Sequence, residues 1–157
     1  MTIQEAKKIA EKYLYLLEPY CSRIEIAGSI RREKPQVKDI EIVCIVDQNK
    51  MSFFCDVVNQ LEKVKGEPTG KYTQRILPEG ITLDLFFADK ENWGLIFAIR
   101  TGSAEFSHKV LAYGWVKHGY KSEGGYLYRN GKKVPVWEEE QLFNLIGERY
   151  LEPYLRK

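Results

Sequence analysis

Two acidic residues separated by one apolar residue stand inside an apolar run of the sequence. The run is Asp39-Ile40-Glu41 followed by Ile-Val-Cys-Ile-Val, and its apolar continuity predicts an interior β-strand. Side chains alternate along a strand, so both carboxylates would emerge on one face and repel each other. A divalent cation would remove that repulsion, and Mg²⁺ binds one or two carboxylates while keeping water and substrate phosphates as further ligands. The pair therefore predicts a metal site.

A third acidic residue could join this site. Asp84 is the lone acid in a second apolar segment, Ile-Thr-Leu-Asp-Leu-Phe-Phe at 81–87. If the two predicted strands are neighbours, Asp39, Glu41 and Asp84 converge on one face of a sheet. Three carboxylates are enough to hold two metal ions, which is the arrangement that in-line phosphoryl transfer uses.

The residues just before the acidic pair could bind phosphate. Gly28 and Ser29 form a predicted turn after a short strand, and a glycine there lets backbone amides approach an anion. Arg31 and Arg32 follow, and a guanidinium can bind phosphate oxygens through two parallel hydrogen bonds. Together with the acids they predict a site for a triphosphate and its metal. The alternative interpretation is a charged edge strand after an ordinary turn.

A second Gly-Ser pair lies in Thr101-Gly102-Ser103, between two predicted helices. Taken alone, it predicts a helix N-cap. Its backbone could also press against a flat ligand such as a nucleotide sugar.

Two structural parts would position these residues. The N-terminal part has the pattern of an αβ unit, with a capped helix over 3–17, strands at 23–27 and 39–46, a helical turn at 30–33, a helix over 51–64, and strands at 71–77 and 81–87. From about residue 90 the pattern predicts helices over 92–100 and 104–118, a hairpin around Asn130-Gly131, and a last helix over 138–147. The predicted fold class is α+β.

The composition permits an anionic partner without demanding one. The 157 residues are 44% hydrophobic and 29% charged, an ordinary balance for a globular protein, and the net charge of +2 is lower than a DNA-coating protein would carry. Cys21, Cys44 and Cys55 are irregularly spaced and form no metal motif with the two histidines. There is no signal peptide and no apolar run of membrane-spanning length, so we expect a soluble, intracellular protein.

Taken in order, the motifs resemble those of the family X DNA polymerases of the polymerase beta type. The similarity covers essentially the whole chain and rests on Gly-Ser-Ile-Arg-Arg at 28–32, Asp39-Ile40-Glu41, Asp84, Thr101-Gly102-Ser103-x-x-Phe106, and a C-terminal segment from Gly131 to Pro153. It implies a nucleotidyltransferase-type palm over 1–90, with a mixed β-sheet and flanking helices. It also implies a small helical subdomain with a β-hairpin over 91–157, which would bind nucleotide and template.

The resemblance also implies roles for individual residues. The catalytic and metal-binding residues would be Asp39, Glu41 and Asp84, holding two Mg²⁺ ions for which Mn²⁺ could substitute. Asp84 would also lie near the primer 3′-hydroxyl and assist its deprotonation. The nucleotide-binding residues would be Gly28, Ser29, Arg32, Lys38, Thr101, Gly102 and Ser103. Sugar or base contacts would come from Ile99, Arg100, Phe106 and Ser107, and DNA contacts from His108, Lys109 and Lys121.

The chain departs from the family at several of these positions. Glu41 stands where the family normally has Asp, and Ile99-Arg100 replaces an aromatic pair in the region that governs sugar choice. Ser107 stands where the family typically has an Asn that contacts the base. Residues 122–125, Ser-Glu-Gly-Gly, replace a segment that helps to hold the templating base.

The resemblance implies a Mg²⁺-dependent, template-directed DNA polymerase that adds dNMP from dNTP to a primer 3′-hydroxyl and releases pyrophosphate. Its partners would be dNTP and a primer–template, gapped or nicked DNA, with no membrane, and it would be a monomer that fills short gaps in DNA repair or viral replication. It would be a minimal form without the lyase and helix-hairpin-helix domains, similar to the short viral polymerase X, in the cytoplasm or nucleoid or associated with a virus. Two alternatives stay open: a template-independent, RNA or small-molecule nucleotidyltransferase, and a non-catalytic module that binds DNA ends or nucleotides.

Overall fold

The structure is a computed structural model that describes every residue from Met1 to Lys157. The chain divides into two units, Met1–Ala88 and Asp89–Lys157. Each unit buries a hydrophobic core of its own. None of the helices combines the length and the apolar character needed to cross a membrane.

A mixed five-stranded sheet forms the centre of the first unit. Its strands are β1 (Cys21–Ile26), β2 (Asp39–Val46), β3 (Glu62–Gly66), β4 (Tyr72–Ile76) and β5 (Thr82–Phe87), in the spatial order β1-β2-β5-β4-β3. Strands β2 and β5 run parallel, and the other neighbouring pairs are antiparallel. The helices of this unit are α1 (Ile3–Leu17), α2 (Gly28–Arg31) and α3 (Met51–Val58). The predicted α+β fold, with a mixed sheet and flanking helices, is confirmed.

Side-chain alternation gives strands β2 and β5 one apolar face and one face that carries acidic residues. Ile40 and Ile42 of β2 and Leu83 and Leu85 of β5 are fully buried. They belong to one hydrophobic cluster with residues of the helices, among them Ala6, Ala10 and Leu17 of α1 and Phe54 of α3. The opposite face of the same strands carries Asp39, Glu41 and Asp84, because these residues alternate with the apolar ones.

Helix α1 begins at its predicted N-cap and is anchored by a hydrogen bond from Tyr13. The Thr2 hydroxyl accepts a hydrogen bond from the Glu5 amide over 3.3 Å, which is the predicted N-cap. Buried Tyr13 donates its hydroxyl to Glu79 Oε1 over 2.8 Å and so ties α1 to the turn between β4 and β5. Burial, and then the Glu79 carboxylate, raise the pKa of Tyr13 to about 12.

The predicted helix over 51–64 is wrong in its second half. Helix α3 ends at Val58, and residues 62–66 form the edge strand β3 instead. Arg75 of β4 is buried and donates Nη1 to the carbonyls of Val58 and Leu61, over 3.4 and 3.2 Å, at the end of α3 and just beyond it. All five residues of β3 are exposed, so no alternation of polar and apolar residues marks this strand in the sequence.

Four α-helices, a π-helical turn, a 3₁₀ turn at Pro153–Leu155 and a three-stranded antiparallel sheet build the second unit. The helices are α4 (Trp93–Thr101), α5 (Ala104–Phe106), α6 (Tyr113–Lys117) and α7 (Glu139–Leu145), with a π-helical turn at Ser107–Ala112 between α5 and α6. The strands are β6 (Lys121–Glu123), β7 (Tyr126–Arg129) and β8 (Lys132–Val134). The predicted hairpin is the β7–β8 pair, and both Asn130 and Gly131 have the positive φ that its tight turn requires. Strand β6 was not predicted, because its three residues are exposed and polar.

A buried ion pair fixes the C-terminal segment of the second unit. Arg156 Nη1 lies 2.7 Å from Glu139 Oε2, and the two side chains are 0% and 6% exposed. The guanidinium also lies over the rings of Phe143 and Tyr150, at 5.1 and 5.2 Å from their centroids. Its Nε donates to the Leu151 carbonyl over 2.8 Å. These contacts bind the last residues of the chain to α7.

We predict that Arg156→Met destabilises the second unit by about 3–5 kcal/mol, because the Glu139 carboxylate would stay buried without its guanidinium. Tryptophan fluorescence during urea unfolding measures this directly, since Trp93, Trp115 and Trp137 are the three tryptophans of the chain and all lie in this unit. Lys109→Ala is the control. It removes an exposed ion pair with Glu105 and should cost at most about 0.5 kcal/mol. Equal losses in the two variants would contradict the prediction.

Candidate active site

Strands β2 and β5 bring three carboxylates together. Asp39 and Glu41 project from one face of β2, and the parallel register places Asp84 of β5 beside Glu41. One oxygen from each of the three side chains lies within 4.8 Å of the other two. Asp84 is buried at 5% exposure, whereas Asp39 and Glu41 are half-buried. The three acids that the sequence predicts to converge are therefore neighbours in the structure.

Partial burial acts against the charged forms of Asp39 and Arg32. Burial raises the pKa of Asp39, and the negative charge of Asp84 raises it further, while Lys38 and Arg32 act in the opposite direction. Burial lowers the pKa of Arg32, against the effect of Glu41 and Asp39. Partial burial thus disfavours the ionised carboxylate of Asp39, and a cation placed among the acids would offset that cost.

A cavity of about 440 Å³ lies beside the acids in the first unit. Five of its lining residues were predicted to bind metal or nucleotide: Ser29, Arg32, Lys38, Asp39 and Glu41. The cavity therefore collects on one side of the sheet the side chains that the sequence assigns to phosphate and metal.

Three further lining residues, Lys34, Pro35 and Gln36, were not assigned to the site from the sequence. Glu33 has a φ of 61°, and the Lys34 amide donates to the Ser29 carbonyl over 3.0 Å, so the chain turns back along α2. The Ile3 amide donates to the Pro35 carbonyl over 3.1 Å, and this bond connects the loop at 33–36 to the start of α1. In the sequence, Lys34 belongs to a group of basic residues that indicates either a solvated face or a surface for DNA or triphosphate; the others are Arg23, Arg31 and Lys38.

Gly28 packs directly against Glu41, one of the predicted metal ligands. Its φ is 63°, a conformation that side chains with a Cβ rarely adopt. A Cβ at this position would overlap Glu41 Oε2 and would lie 2.8 Å from Glu41 Cδ. The glycine was predicted for its approach to phosphate, and the structure adds that it makes room for the Glu41 carboxylate.

The predicted nucleotide-binding residues at 101–103 lie in the second unit, around the junction of α4 and α5. The Ser103 hydroxyl accepts from the Phe106 amide over 3.1 Å, which is the predicted N-cap, and the Ser103 amide donates to the Arg156 carbonyl over 3.1 Å. Thr101 is buried and donates its hydroxyl to the Phe97 carbonyl over 2.7 Å. Gly102 has a φ of 70°, and its peptide bond to Ser103 is cis.

The other predicted contact residues of this unit have different environments. Phe106 is 4% exposed and packs in the core of the unit, and the Ser107 hydroxyl donates to the Ile99 carbonyl over 2.9 Å. The exposed residues are Arg100, His108, Lys109 and Lys121. These four side chains are accessible from solvent, as a contact with nucleic acid would require.

Comparison with known proteins supports the fold. No protein-family model matches the chain, and no curated protein matches its sequence. Among the solved structures that match is polymerase beta from Leishmania infantum, in a ternary P/T complex, with a TM-score of 0.76 and 16% sequence identity. The match covers 100% of this chain and 76% of that chain.

The fold is that of polymerase beta. The match covers the whole chain, so it includes the five-stranded sheet and its flanking helices. In this fold the chain has an acidic cluster, Asp39, Glu41 and Asp84, that could hold a metal ion.

We predict that Asp39→Asn stabilises the metal-free first unit at neutral pH by up to about 1 kcal/mol, the scale of a close charge pair on a sheet. The raised pKa means that the folded state binds the Asp39 proton more tightly than the unfolded state does. Stability should therefore fall as the pH rises from the ordinary aspartate range through the raised pKa.

Hydrogen exchange of the β2 and β5 amides in metal-free protein measures the stability of the first unit. Asp56→Asn, at an exposed position on α3, should change stability by less than about 0.5 kcal/mol. Slower exchange in Asp39→Asn alone is expected, and faster exchange would show that the charge of Asp39 stabilises the fold.

We also predict that Gly28→Ala weakens Mn²⁺ binding by at least about tenfold, because the new Cβ would displace the Glu41 carboxylate. Gly80→Ala is the matched control. Gly80 also has a positive φ, of 88°, but a Cβ there would meet nothing within 4 Å. Titration calorimetry with Mn²⁺ should separate the two variants, and equal affinities would show that the position of Glu41 does not depend on Gly28.

Proposed function

We propose that this chain is a template-directed DNA polymerase, which transfers a nucleoside monophosphate from a dNTP to a primer 3′-hydroxyl and releases pyrophosphate. One observation carries the proposal: the carboxylates of Asp39, Glu41 and Asp84 meet within 4.8 Å beside a cavity lined by Ser29 and Arg32. The polymerase beta fold, seen in a ternary P/T complex in the Leishmania protein, supports a primer–template as the partner.

The donor set of the acidic cluster fits Mg²⁺ or Mn²⁺. Three carboxylates supply oxygen ligands, and the adjoining cavity has room for water and phosphate oxygens as the remaining ligands. Asp39, Glu41 and Asp84 would hold the ions, which when bound supply positive charge next to the reacting phosphate.

The chain's own residues would then bind and orient the two substrates. Ser29 and Arg32 would hold the β- and γ-phosphates, and the neighbouring Lys34 and Lys38 would add positive charge at the same cavity. The primer hydroxyl oxygen would form a bond to the α-phosphorus while the bond to the bridging oxygen breaks and pyrophosphate leaves. Asp84 would lie near this hydroxyl and assist its deprotonation, and the proton would pass to water. Most of the rate enhancement would come from positioning, as in other phosphoryl transfers.

The second unit would supply contacts to the nucleoside and to DNA. Thr101, Gly102 and Ser103, with Ile99, Arg100, Phe106 and Ser107, would shape the sugar and base side. Exposed His108, Lys109 and Lys121 would contact DNA phosphates, so binding should weaken as salt concentration rises. Filling of short gaps during DNA repair is the role that suits such limited contacts.

Transfer without a template is the second candidate function. The observation that favours it is the segment 122–125, where the chain has Ser-Glu-Gly-Gly in place of the residues that help family members to hold the templating base. In the structure this segment is the end of β6 and an exposed turn in which Gly124 and Gly125 both have positive φ. A turn of two glycines offers no side chain to a templating base.

We predict that the protein extends the primer of a gapped duplex with the templated dNTP alone. Primer extension on gapped and single-stranded DNA, with each dNTP and each NTP supplied separately, tests this. Extension by every nucleotide regardless of the template would favour the second candidate. Binding of DNA without any incorporation would favour a non-catalytic module.

Two substitutions connect the activity to the site. Asp39→Asn and Asp84→Asn should each lower incorporation by about a thousandfold or more, since each removes a carboxylate ligand worth several kcal/mol in the transition state. Asp56→Asn on α3 is the matched control and should leave the rate unchanged. Full activity in both site variants would overturn the assignment of the acids.

A further inference from the structure

Two side chains of β4 donate hydrogen bonds to Asp84. The Tyr72 hydroxyl donates over 2.7 Å and Gln74 Nε2 over 2.8 Å, and both reach the same carboxylate oxygen, Oδ1. Antiparallel pairing explains this geometry, because Gln74 lies directly opposite Asp84 and Tyr72 lies opposite Phe86. All three polar side chains therefore project from one face of the sheet.

Because both hydrogen bonds go to Oδ1, the two carboxylate oxygens of Asp84 differ in what they can still bind. A carboxylate oxygen can accept about two hydrogen bonds, so the two donors from β4 use the capacity of Oδ1. Oδ2 is then the oxygen that Asp84 can offer to a cation. With Oδ1 held at two points, rotation of the carboxylate about its Cβ–Cγ bond is restricted, and the direction in which Oδ2 points is fixed.

Both donors are neutral. A lysine or arginine in their place would cancel much of the charge of Asp84 and would compete with a metal ion for it. A phenol and an amide instead orient the carboxylate while its negative charge remains, and carboxylates that bind metal ions are commonly held by such outer hydrogen bonds.

The Tyr72 hydroxyl is itself held in place by packing. Its ring stacks on Phe86, with the centroids 4.8 Å apart and the planes 26° apart. Lys65 Nζ lies 5.6 Å from the centroid of the same ring. The hydroxyl therefore reaches Asp84 from a ring that β3 and β5 both contact.

We propose that Tyr72 and Gln74 are positioning residues that present Asp84 to the metal site through a single oxygen of fixed direction. The inference rests on the proposed function, since it takes the three-acid cluster to be a metal site. It adds a requirement that the acids alone do not impose: the neighbouring strand β4 must supply two neutral donors.

The test uses metal-free full-length protein titrated with Mn²⁺ in a calorimeter, without nucleotide or DNA. Tyr72→Phe removes only the hydroxyl and keeps the stacked ring, and Gln74→Met removes the donor at nearly constant length. Each should weaken Mn²⁺ binding by about 10–100-fold, the usual effect of losing a hydrogen bond to a metal ligand. In primer extension both should lower kcat with little change in KM for dNTP, because Ser29 and Arg32 would still hold the triphosphate.

Tyr13→Phe is the matched control. It deletes the same kind of bond, from a phenol to the Glu79 carboxylate over 2.8 Å, in the same unit and away from the acidic cluster. It should lower Tm about as much as Tyr72→Phe does and leave Mn²⁺ affinity at the wild-type value. If all three variants lowered Tm and none changed Mn²⁺ affinity, the two β4 residues would be structural only and the inference would be wrong.

Asp84→Asn separates this inference from the proposed function. If Mn²⁺ binding weakens in Asp84→Asn but stays unchanged in Tyr72→Phe and Gln74→Met, Asp84 is a ligand and only the positioning role fails. If Asp84→Asn binds Mn²⁺ as tightly as the wild-type protein does, the metal assignment of Asp84 fails, and the inference fails with it.

Discussion

The parallel pairing of β2 with β5 is the constraint on which the candidate site depends. It places Glu41 beside Asp84, so three carboxylates share one face of the sheet although like charges on neighbouring strands repel. The opposite face explains how the pairing persists: Ile40, Ile42, Leu83 and Leu85 are fully buried there. Hydrophobic burial on one side of these strands therefore holds together an unfavourable cluster of charges on the other side.

Much of the fold could be predicted from the sequence, and the failures have a common cause. The apolar runs of β2 and β5, the cap of α1 and the Asn130-Gly131 turn are local signals, and these elements were predicted. The last residue of α3, Val58, accepts a hydrogen bond from Arg75, seventeen residues further along the chain. The exposed edge strands β3 and β6 are defined by their partners and not by their own side chains. Contacts distant in sequence leave no periodic pattern to recognise.

The residues of the candidate site also fall into two groups, those that local spacing predicts and those that distant contacts bring together. Asp39, Glu41, Ser29 and Arg32 could be found because spacing within one short segment places them. Asp84 required the assumption that two predicted strands are neighbours, which the sheet order bears out. Tyr72 and Gln74 were missed, and for Lys34 the sequence left a solvated face and a triphosphate surface as alternatives. A turn in which Glu33 has a positive φ brings Lys34 to the cavity, and the register of β4 brings Tyr72 and Gln74 to Asp84. Neither the turn nor the register can be deduced from residue types alone.

Alternate residues of β4 point to opposite faces of the sheet. Gln74 points to the acidic cluster and donates to Asp84, while Arg75, the next residue, points into the core and donates to the end of α3. A shift of β4 by one residue would exchange them, because each step along a strand reverses the face. It would put a guanidinium among the carboxylates and an amide into the hydrophobic core. Insertions and deletions should therefore be excluded from the short 77–81 turn, whereas changes in chain length can be accommodated at 67–71, before the strand begins.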